Sequence, residues 1–199
     1  MRVIAGTYRS RILKSLKGLA LRPTSDRLRE TLFNVLAPNI SGARFADLFA
    51  GTGAIGIEAL SRGAAEVVFI ENHAPAAALI QKNLGSLGIR SGFTVLPVDI
   101  LRGLEMLASK AKAAKSGFDF IFLDPPYAAA ADYERALKFL GAGDLLAPGG
   151  VVIAEHGRKF ALPEKAEALR RFRVLKQGDA ALSFYRRRDA AAEESDSAE

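Results

Sequence analysis

The chain has 199 residues, no cysteine, two histidines and a formal net charge of +6 at neutral pH. The cysteine count excludes disulfides, thiol nucleophiles, cysteine-ligated zinc and iron–sulfur clusters, and His73 and His156 alone leave little for a histidine metal site, so no metal is expected. With 49% apolar and 25% charged residues the chain is too apolar to be disordered, and its basic balance points to a polyanionic partner without choosing one.

The charge is unevenly spread. Residues 1–30 hold eight bases against two acids, whereas residues 189–199 hold five acids and no base. A block this lopsided reads as a phosphate-contacting face, and the acidic end as a disordered tail. Short apolar stretches at 3–5 and 11–13 flank turn-forming residues and predict a small basic hairpin. Pro23 breaks the chain. Thr24 or Ser25 can cap the helix that follows, whose Leu28, Leu32, Val35 and Leu36 share one face, and Pro38 and Gly42 end it. Residues 1–40 are therefore expected to form a basic N-terminal extension. No signal-type apolar core follows Met1, and no apolar run approaches the roughly 20 residues that span a bilayer, so no membrane contact and a cytoplasmic location are expected.

From residue 44 short apolar runs alternate with helical stretches. Strands are predicted at 44–49, 67–70, 93–98, 118–123 and 151–154, and helices at 54–62, 76–87, 101–115 and 132–140. Strands this uniformly apolar, separated by helices, make a parallel sheet covered on both faces. A helix at 163–171 is then expected to lead into strands 172–175 and 181–185, joined by the turn Gln177-Gly178-Asp179. That antiparallel pair would close a mixed sheet. Residues 41–188 thus read as one doubly wound α/β domain, and 189–199 as its disordered tail.

Gly51, Gly53 and Gly56 form a G-x-G-x-x-G loop between the first strand and first helix, the context in which such a loop cradles a nucleotide-like ligand. Glu71 ends the second strand, where a carboxylate can accept both hydroxyls of a ribose. Taken alone, this fits a nicotinamide cofactor and an NAD-dependent oxidoreductase as well as any other nucleoside cofactor. Asp47 shifts the balance, because a buried acid beside a pyrophosphate repels it but favours a cationic ligand. Asp99, at the end of the third strand, can accept a hydrogen bond from an adenine amino group. Asp124-Pro125-Pro126-Tyr127 ends the fourth strand, at the edge where doubly wound sheets bind ligands. Its prolines lack N–H groups, so the Asp124 side chain and the Pro125 carbonyl present acceptors only, a pair suited to an exocyclic amine. Tyr127 offers a face on which a nucleobase stacks.

The D-x-F-x-G-x-G loop together with Asp-Pro-Pro-Tyr resembles the class I S-adenosylmethionine-dependent amino-methyltransferases. Arg22-Pro23-Thr24-Ser25-Asp26-Arg27, Arg29-Glu30, Leu32-Phe33-Asn34 and the early Arg2-Val3-Ile4-Ala5-Gly6 are similar to the RsmD family, over about residues 2–187. That family methylates the exocyclic N2 of one guanine in small-subunit ribosomal RNA. The resemblance implies a Rossmann-like sheet of seven strands whose last strand is antiparallel. It implies a methyl-donor site at Asp47, Gly51, Gly53, Glu71, Asp99 and Asp124, and catalytic base contacts from Asp124, Pro125 and Tyr127. It implies RNA contacts from Arg22, Thr24, Arg27 and Asn34, with ribosomal RNA or the assembling small subunit as partner; a monomer is expected from the size of the chain. An intramolecular ion-pair network with Asp26 and Glu30 is the alternative for Arg22, Arg27 and Arg29. A DNA adenine-N6 methyltransferase shares both main motifs, but the chain has no room for a large target-recognition region. Neither His73 nor His156 is assigned a catalytic role.

Overall fold

The computed structural model describes residues 1–15, 25–114, 116–125 and 130–187. Arg22, Thr24, Pro126, Tyr127 and the acidic tail at 189–199 lie outside the described residues. Helix α1 (Asp26–Leu36) starts where the Ser25 hydroxyl accepts the Leu28 N–H at 3.1 Å, so of the two candidate caps it is Ser25 that closes the helix end. The alternation that follows is β1 (Arg44–Leu48), α2 (Ala54–Ser61), β2 (Glu66–Ile70), α3 (Ala74–Ser86), β3 (Phe93–Leu96), α4 (Ile100–Ala114), β4 (Phe118–Leu123), α5 (Ala130–Ala142) and β5 (Leu146–Gly157). The chain closes with β6 (Lys165–Ala166), β7 (Leu169–Gln177) and β8 (Ala180–Arg187).

These strands build one sheet in the order β3-β2-β1-β4-β5-β8-β7-β6. β1 to β5 pair in parallel, and β8 enters antiparallel between β5 and β7. The order reverses between β1 and β4, the switch point at which a crevice opens beyond the strand ends. Each face of the sheet buries its own apolar cluster. One contains Leu32, Phe33, Phe45, Ile57, Phe69, Phe122 and Phe184, the other Leu48, Ile70, Leu104, Ile121, Leu137 and Tyr185. Burial on both sides is why the parallel strands read as continuous apolar runs.

The sheet has eight strands rather than the expected seven, the extra one being the two-residue β6. The expected helix at 163–171 is replaced by β6 and the start of β7. Leu169 is the one large aliphatic residue after Pro163 in that stretch, so a helix there would have no apolar face to bury. Pairing with β8 instead satisfies the backbone and buries Leu169 completely.

In the N-terminal segment Arg2 and Ile12 are bridged antiparallel, making a hairpin whose Val3 and Leu13 are buried in the same cluster as α1. It is docked on α2 by side chains that the sequence reading passed over. Glu58, fully buried, accepts the N–H groups of Ile4 at 2.8 Å and Ala5 at 3.0 Å and an Arg62 N–H at 2.8 Å. The Ser61 hydroxyl accepts the Tyr8 N–H and donates to the Ala5 carbonyl. Arg29, also fully buried, donates from Nη2 to the Arg2 carbonyl and to Asp26, tying α1 to the hairpin. Its Nε and Nη1 have no hydrogen-bond partner, and burial lowers its pKa, opposed by Glu58 and Asp26. Gly6 has φ +82°, and a Cβ there would fall 1.8 Å from the Ser61 carbonyl oxygen. Gly6→Ala is therefore expected to lower stability by at least about 2 kcal/mol in denaturant titration, through clash and a left-handed backbone together. An unchanged midpoint would mean that the hairpin is not held against α2.

Candidate active site

The turn after β1 brings the first group of candidate residues together. Phe49 takes a left-handed φ of 64°, rare for an aromatic side chain and of the kind found where a chain is bent around a ligand. Gly51 and Gly53 follow with φ of 54° and 78°, and Gly53 forms the N-cap of α2. Gly56 is needed for closeness rather than for conformation: a Cβ there would meet the Phe69 ring at 2.2 Å, so only glycine lets α2 lie against β2.

The N–H groups of this loop are aimed at carboxylates. Gly51 donates to Glu71 Oε2 at 2.7 Å, and Gly56 donates to Asp47 Oδ2 at 2.9 Å. Gly53 donates to the Ala50 carbonyl at 2.7 Å. Glu71 Oε1 accepts in addition the N–H of His73 at 2.8 Å. In a phosphate-cradling loop those donors would point at the ligand; here the three glycine donors are held by the protein's own acceptors. Asp47 is completely buried, and its carboxyl is pushed up to about 7, first by burial and then by Glu71, with the Gly56 hydrogen bond opposing.

A cleft of about 220 Å³ opens at this edge, lined among others by Phe49, Glu71, Asn72, Asp99, Asp132 and Arg135. Asp99 is exposed at the start of α4, where its Oδ1 accepts the Arg102 N–H at 3.1 Å. It is thus a helix cap and a cleft-lining carboxylate at once. Asp132 pairs with Arg135 at 2.5 Å, which leaves Glu71 and Asp99 as carboxylates without a cationic partner in the cleft. Such a lining favours hydroxyl, amino or cationic groups and opposes a pyrophosphate. Phe49, Asn72, Asp132 and Arg135 were missed in the sequence. Asp132 and Arg135 open a helix that follows the Asp-Pro-Pro-Tyr loop, which is the one signal that could have found them.

Leu123 pairs with Leu48 on one side and Ala154 on the other, so Asp124 and Pro125 leave the sheet at the same edge as the turn after β1. Asp124 is half-buried and Pro125 buried. Arg27 and Asn34 are not brought to the first cleft. They line a second one, of about 560 Å³, between the hairpin and α1, together with Arg2, Arg9 and Arg62. Of the expected ion-pair network, Arg29 pairs with Asp26 at 3.0 Å and Arg2 approaches Asp26 at 3.7 Å. His73 is exposed at the N-cap of α3. His156 is buried, with its pKa lowered by burial, and its Nε2 shares a 2.8 Å hydrogen bond with the Ser183 hydroxyl across β5 and β8. Among the described residues no group of three His, Asp or Glu side chains could hold a metal ion, and no helix is long and apolar enough to cross a membrane.

The family described as "Conserved hypothetical protein 95" matches residues 1–186. Among curated proteins, "Ribosomal RNA small subunit methyltransferase D" of Escherichia coli strain K12 is 34% identical over 187 residues, covering 94% of this chain and 90% of its own. YlbH of Bacillus subtilis is 36% identical over 188 residues, covering 94% of this chain and 100% of its own. Among solved structures, the yhhF chain from Escherichia coli superposes with a TM-score of 0.78 at 34% identity, covering 94% of this chain and 97% of that one.

The burial of Asp47 has a consequence for stability. The carboxyl titrates near 3.8 in the unfolded chain and near 7 in the fold, so raising the pH through this window removes protons from the unfolded state first and destabilises the fold. Asp47→Asn keeps an acceptor for the Gly56 N–H without the charge. It is expected to be more stable than the parent at pH 8, by no more than about 4 kcal/mol at roughly 1.4 kcal/mol per pKa unit. The difference should vanish towards pH 4. Thermal melts at both pH values test this, and equal melting temperatures at pH 8 would mean that Asp47 is already fully ionised at no cost.

Proposed function

The chain belongs to the family described as Conserved hypothetical protein 95, the RsmD family, and on that premise we propose that it is an S-adenosylmethionine-dependent methyltransferase acting on the exocyclic N2 amine of a guanine in small-subunit ribosomal RNA. The observation that carries the reading is the edge shared by β1 and β4. There a glycine turn braced by Glu71 and Asp47 stands beside Asp124 and Pro125. One half of that edge suits a donor with a ribose, an amine and a positive charge, and the other suits an acceptor amine.

The fit of S-adenosylmethionine rests on the carboxylates. A sulfonium, an amino group and two ribose hydroxyls complement Asp47, Glu71 and Asp99, and no phosphate has to compete for the glycine N–H groups. Glu71 accepts one backbone N–H at each oxygen, so the donor loop is held in shape while a second lone pair at each oxygen is left for hydroxyls. Gly51 and Gly53 allow the backbone to approach the donor closely. An NAD-dependent oxidoreductase is disfavoured by the same facts: its pyrophosphate would meet occupied donors and a buried acid.

Bound S-adenosylmethionine supplies a methyl group already activated by the sulfonium. The chain's contribution is position and electrostatics. The Asp124 carboxylate and the Pro125 carbonyl accept the two N–H groups of the guanine amine, orient its lone pair and stabilise the positive charge that grows on nitrogen as the methyl arrives. Tyr127 stacks on the base, which has to leave its own stack to reach the donor. Arg27 and Asn34 hold the RNA at the second cleft, whose basic residues attract phosphates, and Arg22 and Thr24 share that role by the family resemblance. The enzyme acts as a cytoplasmic monomer on RNA or on the assembling small subunit.

Incubation with tritiated S-adenosylmethionine and ribosomal RNA, small subunits or DNA, followed by mapping of the labelled base, tests the substrate. Label at guanine N2 is expected; label in DNA adenine would overturn the assignment in favour of the adenine-N6 methyltransferase. Asp124→Ala is expected to lower kcat at least about 1000-fold while calorimetry shows the donor bound nearly as before. Wild-type turnover in that variant would remove Asp124 from the reaction. Because a cationic donor favours ionised Asp47, its affinity should rise as pH rises through 7, with proton release measurable by calorimetry in buffers of different ionisation heat.

A further inference from the structure

The basic excess lies in two places, and the first thirty residues are only one of them. Residues 31–164, the body of the parallel sheet and its helices, hold twelve bases against thirteen acids. Residues 165–187, which contain the antiparallel end of the sheet, hold seven bases against two acids. Three of these bases, Arg170, Arg171 and Arg187, are tied into structure, and Lys165 and Lys176 are exposed on β6 and near the end of β7. Arg171 donates to the Leu162 carbonyl and pairs with Glu164 at 3.1 Å, and Arg187 pairs with Asp144 at 2.9 Å and donates to the Gly143 carbonyl. Arg170 donates to the Glu167 and Leu169 carbonyls. Arg173 and Arg186 are exposed without a carboxylate partner among the described residues, and of these seven bases they are the two that lie against aromatic rings.

Arg173 and Arg186 flank an aromatic residue that the core does not need. The register of β7 on β8 shifts between Arg171 and Arg173, so Phe172 is the extra residue of a β-bulge. It is 46% exposed, the most exposed aromatic ring among the described residues. The bulge turns it to the same side as Phe184, whose ring centroid is 6.3 Å away. The Arg186 guanidinium lies 5.1 Å from the Phe172 centroid, and that of Arg173 lies 5.9 Å from the Phe184 centroid. The outcome is an exposed platform of one open ring and two guanidinium groups with unneutralised charge. Unpaired RNA bases are held on such surfaces, stacked on aromatic rings and arginine planes while the charges meet phosphates. None of the three residues lines either cleft.

We propose that Phe172, Arg173 and Arg186 form a second RNA-docking surface, which takes an unpaired nucleobase at Phe172 and its flanking phosphates at the two arginines. The proposal rests on the reading of the protein as an RNA methyltransferase and adds a contact remote from the reacting base. Its occupant is RNA because the patch is both cationic and aromatic. A protein strand added to the β7 edge would instead meet a row of charged side chains, which oppose strand pairing.

The test uses the full chain and deproteinised small-subunit ribosomal RNA in filter binding over a series of KCl concentrations. Phe172→Ala should weaken RNA binding about 5- to 150-fold, and Phe172→Trp should restore it. Arg173→Ala combined with Arg186→Ala should flatten the slope of log affinity against log salt by about 1.4. In all three variants the melting temperature and the calorimetric affinity for S-adenosylmethionine should stay at parent values, and the loss should fall on KM for RNA rather than on kcat. Unchanged RNA affinity in both the Phe172→Ala and the double-arginine variants overturns the proposal. So does a parent that sediments as a dimer which these substitutions break, since the face would then join two copies of the chain. Failure of the parent to methylate any RNA would count against the methyltransferase reading, whereas the binding measurement judges the platform separately.

Discussion

Two carboxylates, one inside β1 and one just after β2, organise the edge of the sheet where the candidate site lies. Glu71 follows β2 and takes the Gly51 N–H; Asp47 lies inside β1 and takes the Gly56 N–H. Between them they hold a five-residue turn whose conformation is otherwise unfavourable, with one aromatic residue and two glycines at positive φ. Without those acceptors the turn would leave buried N–H groups unsatisfied, at a cost of about 1–3 kcal/mol each. With them, the start of α2 is fixed against β2, and the cleft inherits negative charge. The loop therefore has the glycine spacing of a phosphate cradle and the electrostatics of a site for a cation.

The same brace has a thermodynamic cost that bears on function. A fully buried Asp47 with its carboxyl pushed up to about 7 weakens the fold at the pH of the cell. A neutral residue would serve the Gly56 hydrogen bond equally well. An ionisable residue there fits a site completed by a positive ligand, which is the direction of the proposed donor chemistry. Arg29 is a second costly group, buried with two unpartnered nitrogens, and it locks α1 onto the N-terminal hairpin.

The N-terminal segment is an integral part of the fold as well as a candidate RNA surface. Glu58 and Ser61 fasten the hairpin to α2, the helix that starts at the glycine turn. Arg27 and Asn34 face a cleft of their own beside it. The helix that anchors the hairpin, α2, begins at the glycine turn and so joins this cleft to the candidate site. The β7–β8 platform extends the same logic to the antiparallel end of the sheet, so that the near-neutral centre is bracketed by basic surfaces.

Much of this was legible in the chain alone. The period of the apolar residues yields the five parallel strands and their helices, because strands buried on both faces admit no other pattern. The glycine triplet, Glu71, Asp47 and Asp124-Pro125 were legible as strand-end features, and the structure brings them to one edge of the sheet. The end of the chain misled: residues 163–171 carry helix-forming residues, yet pairing with β8 outweighs local propensity. Other features were invisible for a plainer reason. Whether Gly51 N–H faces a ligand or Glu71, whether Glu58 is a surface acid or the anchor of a hairpin more than fifty residues away, and whether Phe172 is core or platform are decided by contacts between distant segments. Local sequence determines which elements can form and which side chains carry charge; only their packing determines which charges are neutralised and which remain to bind something else.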